Sequence, residues 1–177
     1  MINVKKVKKD FLEILLKENL KKILDLGCGE GLMSKYFENE NAKIIGIDIK
    51  KSTKDSEYFQ FVEGDIRTED FGNGNDLIIA SLILHFFRKE EAQKIIEKMK
   101  IATSPSGYNL LICMSNKDDL AMKRLEKFYP SLGEIKKRYP NWILIKEEKG
   151  TTKVENHDSL GPHKHNVLFL LFQKKKV

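Results

Sequence analysis

The chain has 177 residues, of which 41% are hydrophobic, and its formal charge is +6 at pH 7. This length suits one domain, so residues 1–177 are expected to form a single unit. No apolar run reaches transmembrane length, and the lysine-rich N-terminus lacks the pattern of a signal peptide. Two cysteines do not suggest a disulfide framework or a zinc ribbon. We therefore expect a cytoplasmic protein with no membrane partner.

The positive charge comes almost entirely from lysine, with 28 Lys against 4 Arg. A basic chain can bind nucleic acid. Here the lysines are scattered among glutamates, and arginine, which makes bidentate contacts to bases and phosphates, is scarce. We interpret the charge as a solvated, lysine-rich surface.

The N-terminal segment has helical periodicity. Val4, Val7, Phe11 and Ile14 recur at the spacing of one helix face, with lysines opposite. Residues 1–20 are therefore predicted to form a leading amphipathic helix that covers the sheet edge or the mouth of a ligand site. A helix lying on a membrane surface is the alternative.

A short apolar strand at residues 23–26 runs into Gly27, Gly29 and Gly31, and residues 31–38 are predicted to be helical. Glycine accepts positive φ and lets the backbone approach a ligand closely. A helix that follows such a loop directs its amide groups towards an anionic group. This order predicts a ligand-binding loop at the carboxyl end of a parallel strand.

Strands and helices then alternate. Strands are predicted at 43–48, 58–62, 76–81 and 108–114, a short polar helix or turn at 51–57, and a helix at 89–101. Alternation of this kind predicts an α/β, Rossmann-like, doubly wound sheet that is mostly parallel, with helices on both faces.

The C-terminal part has a different pattern. Residues 116–129 are predicted to be helical, with Asn116 as N-cap and Asp118 and Asp119 in the first turn, and 132–139 form another turn or two. Residues 142–148 and 167–173 are two strands with no helix between them. Such strands pair as an antiparallel hairpin, which completes a seven-stranded sheet.

The glycine spacing narrows the ligand class. The dinucleotide fingerprint G-x-G-x-x-G fits Gly27 and Gly29, but Leu32 stands where the third glycine belongs. No Gly-Lys-Ser/Thr follows, so the loop is not a P-loop. The pattern is G-x-G-x-G instead.

With that pattern, the sequence resembles the class I S-adenosylmethionine-dependent methyltransferases, and more loosely their small-molecule members grouped with tellurite-resistance enzymes. Residues 24–31 match the family's strand, acid and glycine loop. Asp48 ends the second strand, Gly64-Asp65-Ile66 follows the third, and Ser81 ends the fourth. The resemblance implies a cofactor-binding half at 21–115, a substrate-side half at 116–177, and S-adenosylmethionine as cofactor.

The resemblance also implies a role for each matched residue. Asp48 would accept from both ribose hydroxyls, Asp65 would accept from the adenine amine, and Asp25 would lie near the methionyl ammonium. Ile49 and Ile66 would sandwich the adenine. The complete implied cofactor-binding set is Asp25, Gly27, Cys28, Gly29, Gly31, Asp48, Ile49, Asp65, Ile66, Ser81 and Leu82.

Methyl transfer from a sulfonium is an in-line displacement, for which the enzyme supplies alignment and excludes water. An oxygen or nitrogen nucleophile can need a base, and histidine is the usual one. His85, His163 and His165 are therefore the candidate catalytic residues. A packed or surface histidine is the alternative for His85.

Three histidines and an acid fall within residues 157–165. This cluster could bind a divalent metal or an anionic substrate, or it could be a polar loop. The spacing is not that of a metal site, so we expect no metal ion.

The acceptor is expected to be a small molecule. The fourth strand lacks the Asn/Asp-Pro-Pro-Tyr/Phe signature of amino-methylating nucleic-acid enzymes. A tRNA or rRNA methyltransferase stays open because the pI is about 9.1. A non-catalytic methyltransferase-like binding subunit is the third reading, and the intact acids argue against it. The oligomeric state is left open.

Overall fold

A computed structural model describes residues 1–156 and 161–176. Its strands form one seven-stranded sheet in the order β3-β2-β1-β4-β5-β7-β6. The strands are β1 Lys22–Leu26, β2 Lys43–Asp48, β3 Phe59–Glu63, β4 Asn75–Ser81, β5 Thr103–Met114, β6 Trp142–Thr151 and β7 Asn166–Lys174. The first five pair in parallel, and β7 lies antiparallel to both β5 and β6. The predicted α/β fold is confirmed.

The strand order places the glycine loop at the topological switch point of the sheet. The chain leaves β1 between β2 on one side and β4 on the other. Connections therefore depart in opposite directions at this point, and the carboxyl ends of the strands open a crevice there. The loop that starts at Gly27 lies in that crevice.

Helices cover both faces of the sheet. The α-helices are α1 Val4–Leu15, α2 Lys89–Ala102 and α3 Leu132–Lys137, with 3-10 helices at Ser34–Glu40, Leu84–Phe86 and Ala121–Lys123. None of the helices in the described ranges is long and apolar enough to cross a membrane.

Two hydrophobic cores result from the alternation of side chains along each strand. Ile23 of β1 packs with Phe11 and Leu15 of α1 on one face, whereas Leu24 packs with Ile96 of α2 on the other. Helix α1 begins at an Asn3 cap that accepts from Lys6 N at 3.1 Å. A helix is thus confirmed within the predicted N-terminal segment, over Val4–Leu15. Burying each large apolar side chain of this helix contributes about 1.5–3 kcal/mol to the stability of the fold.

The segment predicted to be helical at 31–38 and the one predicted as a short polar helix or turn at 51–57 contain no α-helix. Because Gly27, Gly29 and Gly31 all have positive φ, the chain after them first forms turns, and only a 3-10 helix at Ser34–Glu40 follows. Residues 51–57 contain no helix. There Asp55 Oδ1 accepts from Phe61 N at 2.7 Å, so a side chain that could cap a helix ties the segment to β3 instead.

The helix predicted at 116–129 is also wrong, since only Ala121–Lys123 is helical, as one 3-10 turn. Asp118 Oδ1 accepts from Leu120 N at 3.0 Å, and its Oδ2 accepts from Asn166 N at 3.0 Å. Asp119 Oδ2 accepts from Lys164 N at 2.8 Å. The two acids that suggested a helix N-terminus bind amides of the segment leading into β7.

Candidate functional site

The glycine loop is held by the end of the neighbouring strand. Gly27 N and Cys28 N both donate to Ile47 O, at 2.8 and 3.2 Å. Gly27 has φ of 65°, and a Cβ there would lie 2.4 Å from Ile83 Cγ1. At Gly29, φ is 52°, but a Cβ would meet nothing within 4 Å. Gly27 is therefore required by both conformation and space, and Gly29 by conformation alone.

Asp48 connects this loop to the second strand. Its Oδ2 accepts from Gly29 N at 2.9 Å, which fixes the carboxylate beside the loop. Its Oδ1 lies 3.4 Å from Lys50 N, a long contact that leaves capacity to accept a further donor. The acid predicted to bind ribose is thus positioned with one oxygen engaged and the other able to receive a hydroxyl.

A cavity of about 690 Å³ opens in front of Asp48. Gly27, Asp48, Ile49 and residues 64–67 line one side, and residues 82–83 and 86–88 line the other, together with Glu91 and Lys127. Ile49 is 74% exposed here, which is unusual for a large aliphatic side chain next to a cavity. Ile66 also lines the cavity, but only 3% of it is exposed because it packs into the core under α2.

Asp65 is engaged by an arginine that the sequence analysis missed. Arg67 donates from Nε and Nη2 to the carboxylate at 2.9 and 2.6 Å, and its Nη1 donates to Glu91 Oε1 at 2.9 Å. Hydrogen bonds from Arg67 lower the pKa of Asp65. Arg67 follows Asp65 by two positions, which is a weak signal, and no sequence feature connects either residue to Glu91.

A second cavity of about 200 Å³ adjoins the first and shares Gly27 and Leu82 with it. Asp25, Cys28, Gly29 and Ser81 line it, together with Lys8 of α1. The leading helix, predicted to cover the sheet edge or the mouth of a ligand site, thus contributes the Lys8 side chain to the wall of this cavity.

Asp25 is the most perturbed acid of this cavity. It is 2% exposed, and Ser34 Oγ donates to its Oδ2 at 2.6 Å. Burial raises the pKa of Asp25 to about 7, and the nearby charge of Asp48 adds to this, whereas Ser34 and Lys8 act against it. Burial also raises the pKa of the Cys28 thiol to about 12, so Cys28 is not a thiolate near neutral pH.

Leu82, the residue after the fourth strand, has a backbone conformation that is rare for a non-glycine residue. Its φ is 55°, and its amide donates to Ile112 O at 2.8 Å. This turn directs the chain into the 3-10 helix Leu84–Phe86, and Leu82 lines both cavities. Strained backbone at such a position is typical of ligand sites.

His85 lies in that 3-10 helix and is 6% exposed. Its ring centroid is 4.3 Å from that of Phe86 and 6.0 Å from that of Tyr129. Its Nδ1 is buried without a hydrogen-bond partner in the part of the chain that is described. Burial lowers the pKa of His85 to about 4, so the ring is neutral at pH 7.

His163 and His165 lie together just before β7. Their Nε2 atoms are 3.2 Å apart, His163 Nδ1 is 2.7 Å from Gly161 O, and His165 Nδ1 is 3.1 Å from Asp118 Oδ2. His157 and Asp158, the other members of the predicted cluster, lie outside the described residues. Within residues 1–156 and 161–176, no group of three or more His, Cys, Asp or Glu side chains could hold a metal ion.

Comparisons with known proteins identify the family and the fold. A family model described as "Tellurite resistance protein TehB" matches residues 2–169. The probable S-adenosyl-L-methionine-dependent methyltransferase TehB of Haemophilus influenzae is 27% identical over 153 residues, which cover 79% of this chain and 52% of that protein. The chain thus spans about half the length of the curated relatives that it matches first.

Two solved structures have the same fold. The crystal structure of TehB from Haemophilus influenzae has a TM-score of 0.77 at 22% identity, covering 94% of this chain and 62% of that one. The N-methyltransferase NodS from Bradyrhizobium japonicum, in complex with S-adenosyl-l-homocysteine, has a TM-score of 0.75 at 14% identity, covering 96% and 86%. The Rossmann-like methyltransferase fold expected from the resemblance is confirmed.

Proposed function

The chain belongs to the TehB family, and on that basis we propose that it transfers a methyl group from S-adenosylmethionine to a small molecule. One observation carries the proposal: two cavities of unequal size meet at Gly27 and Leu82, with acids along both. The larger cavity would take the adenosine and the smaller one the methionyl group. A cytoplasmic location is part of this proposal.

The larger cavity fits an adenosine in its chemistry. Asp48 Oδ1 would accept the ribose hydroxyls, and exposed Ile49 would cover one face of the adenine ring. Asp65 would accept from the adenine amine while also bound by Arg67, since a carboxylate can accept about four hydrogen bonds. Arg67 would then hold Asp65 ionised and oriented.

The smaller cavity fits the amino-acid end of the cofactor. The methionyl ammonium would lie near Asp25, which favours the ionised form of this buried acid. Lys8 would face the methionyl carboxylate, and Ser81 and Leu82 would border the reacting methyl. The sulfonium supplies an activated methyl group, so the residues at this junction need only align the acceptor and exclude water.

Candidate acceptor-side residues lie at the carboxyl ends of β4 and β5. His85, neutral at pH 7, could take a proton but is a weak base with a pKa of about 4. His163 and His165 contact each other at the end of β5 and remain candidates to contact the acceptor. A small acceptor is favoured because the connection between β4 and α2 holds only the short 3-10 helix Leu84–Phe86, with no insertion that could form a lid over a large substrate.

Calorimetry with S-adenosylhomocysteine tests the cofactor site. The wild-type protein should bind, and Asp48→Ala should bind at least about tenfold more weakly, because it loses a charge-assisted hydrogen bond worth about 1.5–3 kcal/mol. Asp70→Asn, an exposed acid outside both cavities, is the control. Unchanged affinity in Asp48→Ala would show that the ligand lies elsewhere.

The acceptor class needs a separate assay. Protein supplied with methyl-labelled S-adenosylmethionine would be mixed with either an RNA-free small-molecule extract or purified total RNA. Label should enter the small-molecule fraction. Label in RNA, falling steeply with salt, would overturn the acceptor assignment and leave the cofactor site intact.

A further inference from the structure

We propose that Tyr129 Oη and His85 Nδ1 together bind a hydroxyl group of the methyl acceptor. The two residues lie beyond the carboxyl ends of neighbouring strands, His85 after β4 and Tyr129 after β5. The inference rests on the proposed function, methyl transfer to a small molecule, and adds Tyr129 to the residues on the acceptor side. No sequence pattern singled out Tyr129, because the contacts that place it are long-range.

The chain after β5 returns to the end of β4 and holds Tyr129 there. Phe128 N donates to Phe87 O at 3.0 Å, across 41 positions of the sequence. Asn116 N donates to Pro130 O at 3.1 Å. Both sequence neighbours of Tyr129 are therefore fixed by backbone hydrogen bonds, and its ring lies beside the 3-10 helix that follows β4.

Both polar groups are buried without a hydrogen-bond partner. His85 is 6% exposed, and the hydroxyl oxygen of Tyr129 is buried as well. Within residues 1–156 and 161–176, no atom meets hydrogen-bond geometry with His85 Nδ1 or with Tyr129 Oη. The two ring centroids are 6.0 Å apart. Because an unpaired buried polar group costs stability, two of them on neighbouring rings indicate a ligand that pairs with both.

Phe86 connects this pair of residues with the larger cavity. Its ring centroid lies 4.3 Å from that of His85, and the same side chain lines the cavity proposed for adenosine. Phe86 is 57% exposed, so core packing does not hold its ring. Exposed side chains change rotamer quickly. Rotation of this one side chain would open a path from the cavity to both polar groups.

The electrostatics around the pair favour an uncharged ligand group. Burial lowers the pKa of His85 to about 4 and raises the pKa of Tyr129 above its usual value of 10.0, so both are neutral at pH 7. Asp118 and Arg124 act on each of these pKa values in opposite directions. Arg124 lies close enough to the Tyr129 hydroxyl to act against its shift, but not at hydrogen-bond geometry. Two neutral groups would not compensate the burial of an ionic ligand.

A hydroxyl group matches the two atoms. Tyr129 Oη can both donate and accept, and Nδ1 of a neutral imidazole does one of the two, depending on which nitrogen carries the proton. A hydroxyl on the acceptor can donate to one of these atoms while it accepts from the other. A carboxylate only accepts and an ammonium group only donates. The pair would therefore orient a hydroxyl-bearing acceptor beside the reacting methyl.

Tyr129→Phe, which removes only the hydroxyl, tests the proposal first through stability. In urea this variant should be at least as stable as wild type, because it replaces an unpaired buried hydroxyl by a C–H group. Tyr139→Phe is the matched control, since its buried hydroxyl donates to Asn109 Oδ1 at 3.0 Å, and it should lose stability. Tyr36→Phe, at a position that is 54% exposed, should leave stability unchanged.

Turnover is the second readout, measured with methyl-labelled S-adenosylmethionine and the RNA-free small-molecule extract at limiting concentration. Tyr129→Phe and His85→Leu should each lower the initial rate about 3–10-fold, as expected for the loss of one uncharged hydrogen bond. Affinity for S-adenosylhomocysteine should stay as in wild type. Because both atoms bind one hydroxyl, the double variant should lose less than the product of the two single losses.

Three results would overturn the proposal. A Tyr129→Phe variant less stable than wild type would show that the hydroxyl has a structural partner. An unchanged rate in that variant would show that the hydroxyl does not contact the acceptor, and fully multiplicative losses would assign the two residues to separate groups. Failure of the proposed function is seen in wild type itself, which would transfer no label to the extract, whereas failure of this inference is seen only between variants.

Discussion

Replacing Asp25 by asparagine should make the protein less sensitive to rising pH. Asp25 is 2% exposed in β1, and burial raises its pKa from 3.8 to about 7. An unfolded chain keeps the usual value near 3.8. Between these two values the native state holds a proton that the unfolded state has lost, so the free energy of unfolding falls as pH rises.

The size of the effect follows from the two pKa values. The interval from 3.8 to about 7, at about 1.4 kcal/mol per pH unit, corresponds to about 4 kcal/mol of stability lost above pH 7 relative to pH 4. Asparagine has no ionisation cost, and its Oδ1 can still accept from Ser34 Oγ. Asp25→Asn should therefore match wild type near pH 4 and exceed it by up to about 4 kcal/mol at pH 8.

Urea unfolding at several pH values and constant ionic strength measures this directly. The informative quantity is the difference between wild type and Asp25→Asn, because all other titrating groups cancel in it. Asp70→Asn, whose exposed side chain accepts from Gly72 N, is the matched control and should leave the stability difference between pH 4 and pH 8 as in wild type. If wild type and Asp25→Asn lose stability in parallel from pH 4 to 8, Asp25 is ionised in the folded protein and the reasoning fails. Asp25→Asn should also bind S-adenosylhomocysteine more weakly, since the ammonium group of the ligand loses its ionic partner.

Two further variant pairs test the glycine loop and the smaller cavity. Gly27→Ala should lower the free energy of unfolding in urea more than Gly29→Ala does. Both variants place alanine in the left-handed region, at a cost of about 1–2 kcal/mol, but only at Gly27 does the new methyl group clash, lying 2.4 Å from Ile83. Equal losses of stability in the two variants would contradict the steric argument. Lys8→Gln should weaken binding of S-adenosylhomocysteine at least about tenfold while leaving 5′-methylthioadenosine, which lacks the amino-acid end, unaffected. Lys9→Gln, on the exposed side of α1, should change neither affinity, and equal weakening of both ligands by Lys8→Gln would remove Lys8 from the methionyl site.

The fold of residues 21–115, the predicted cofactor-binding half, could be predicted because its sequence signals are local. A strand buried on both faces is apolar along its whole length, as in residues 77–80 of β4, and needs no knowledge of its neighbours. Asp25 and Asp48 are the second-last residue of β1 and the last residue of β2, so their place near the carboxyl edge follows from the strand positions alone. The contact of Arg67 with Glu91 could not be predicted in this way, because it joins residues that are 24 positions apart and belong to different connections between strands.

Asp118 shows why the structure of residues 116–177 was harder to predict. An acid in this position, two residues after an asparagine, predicts the first turn of a helix from local chemistry. In the folded chain Asp118 instead contacts Asn166 N, Leu120 N and the His165 ring, which are 48, 2 and 47 positions away in the sequence. The Asp118 side chain is 3% exposed, and these three contacts meet the need of a buried carboxyl group for several polar partners. The same side chain thus contacts Asn166 N and the His165 ring, 48 and 47 positions away, and these contacts, which no local pattern contains, replace the helix predicted here.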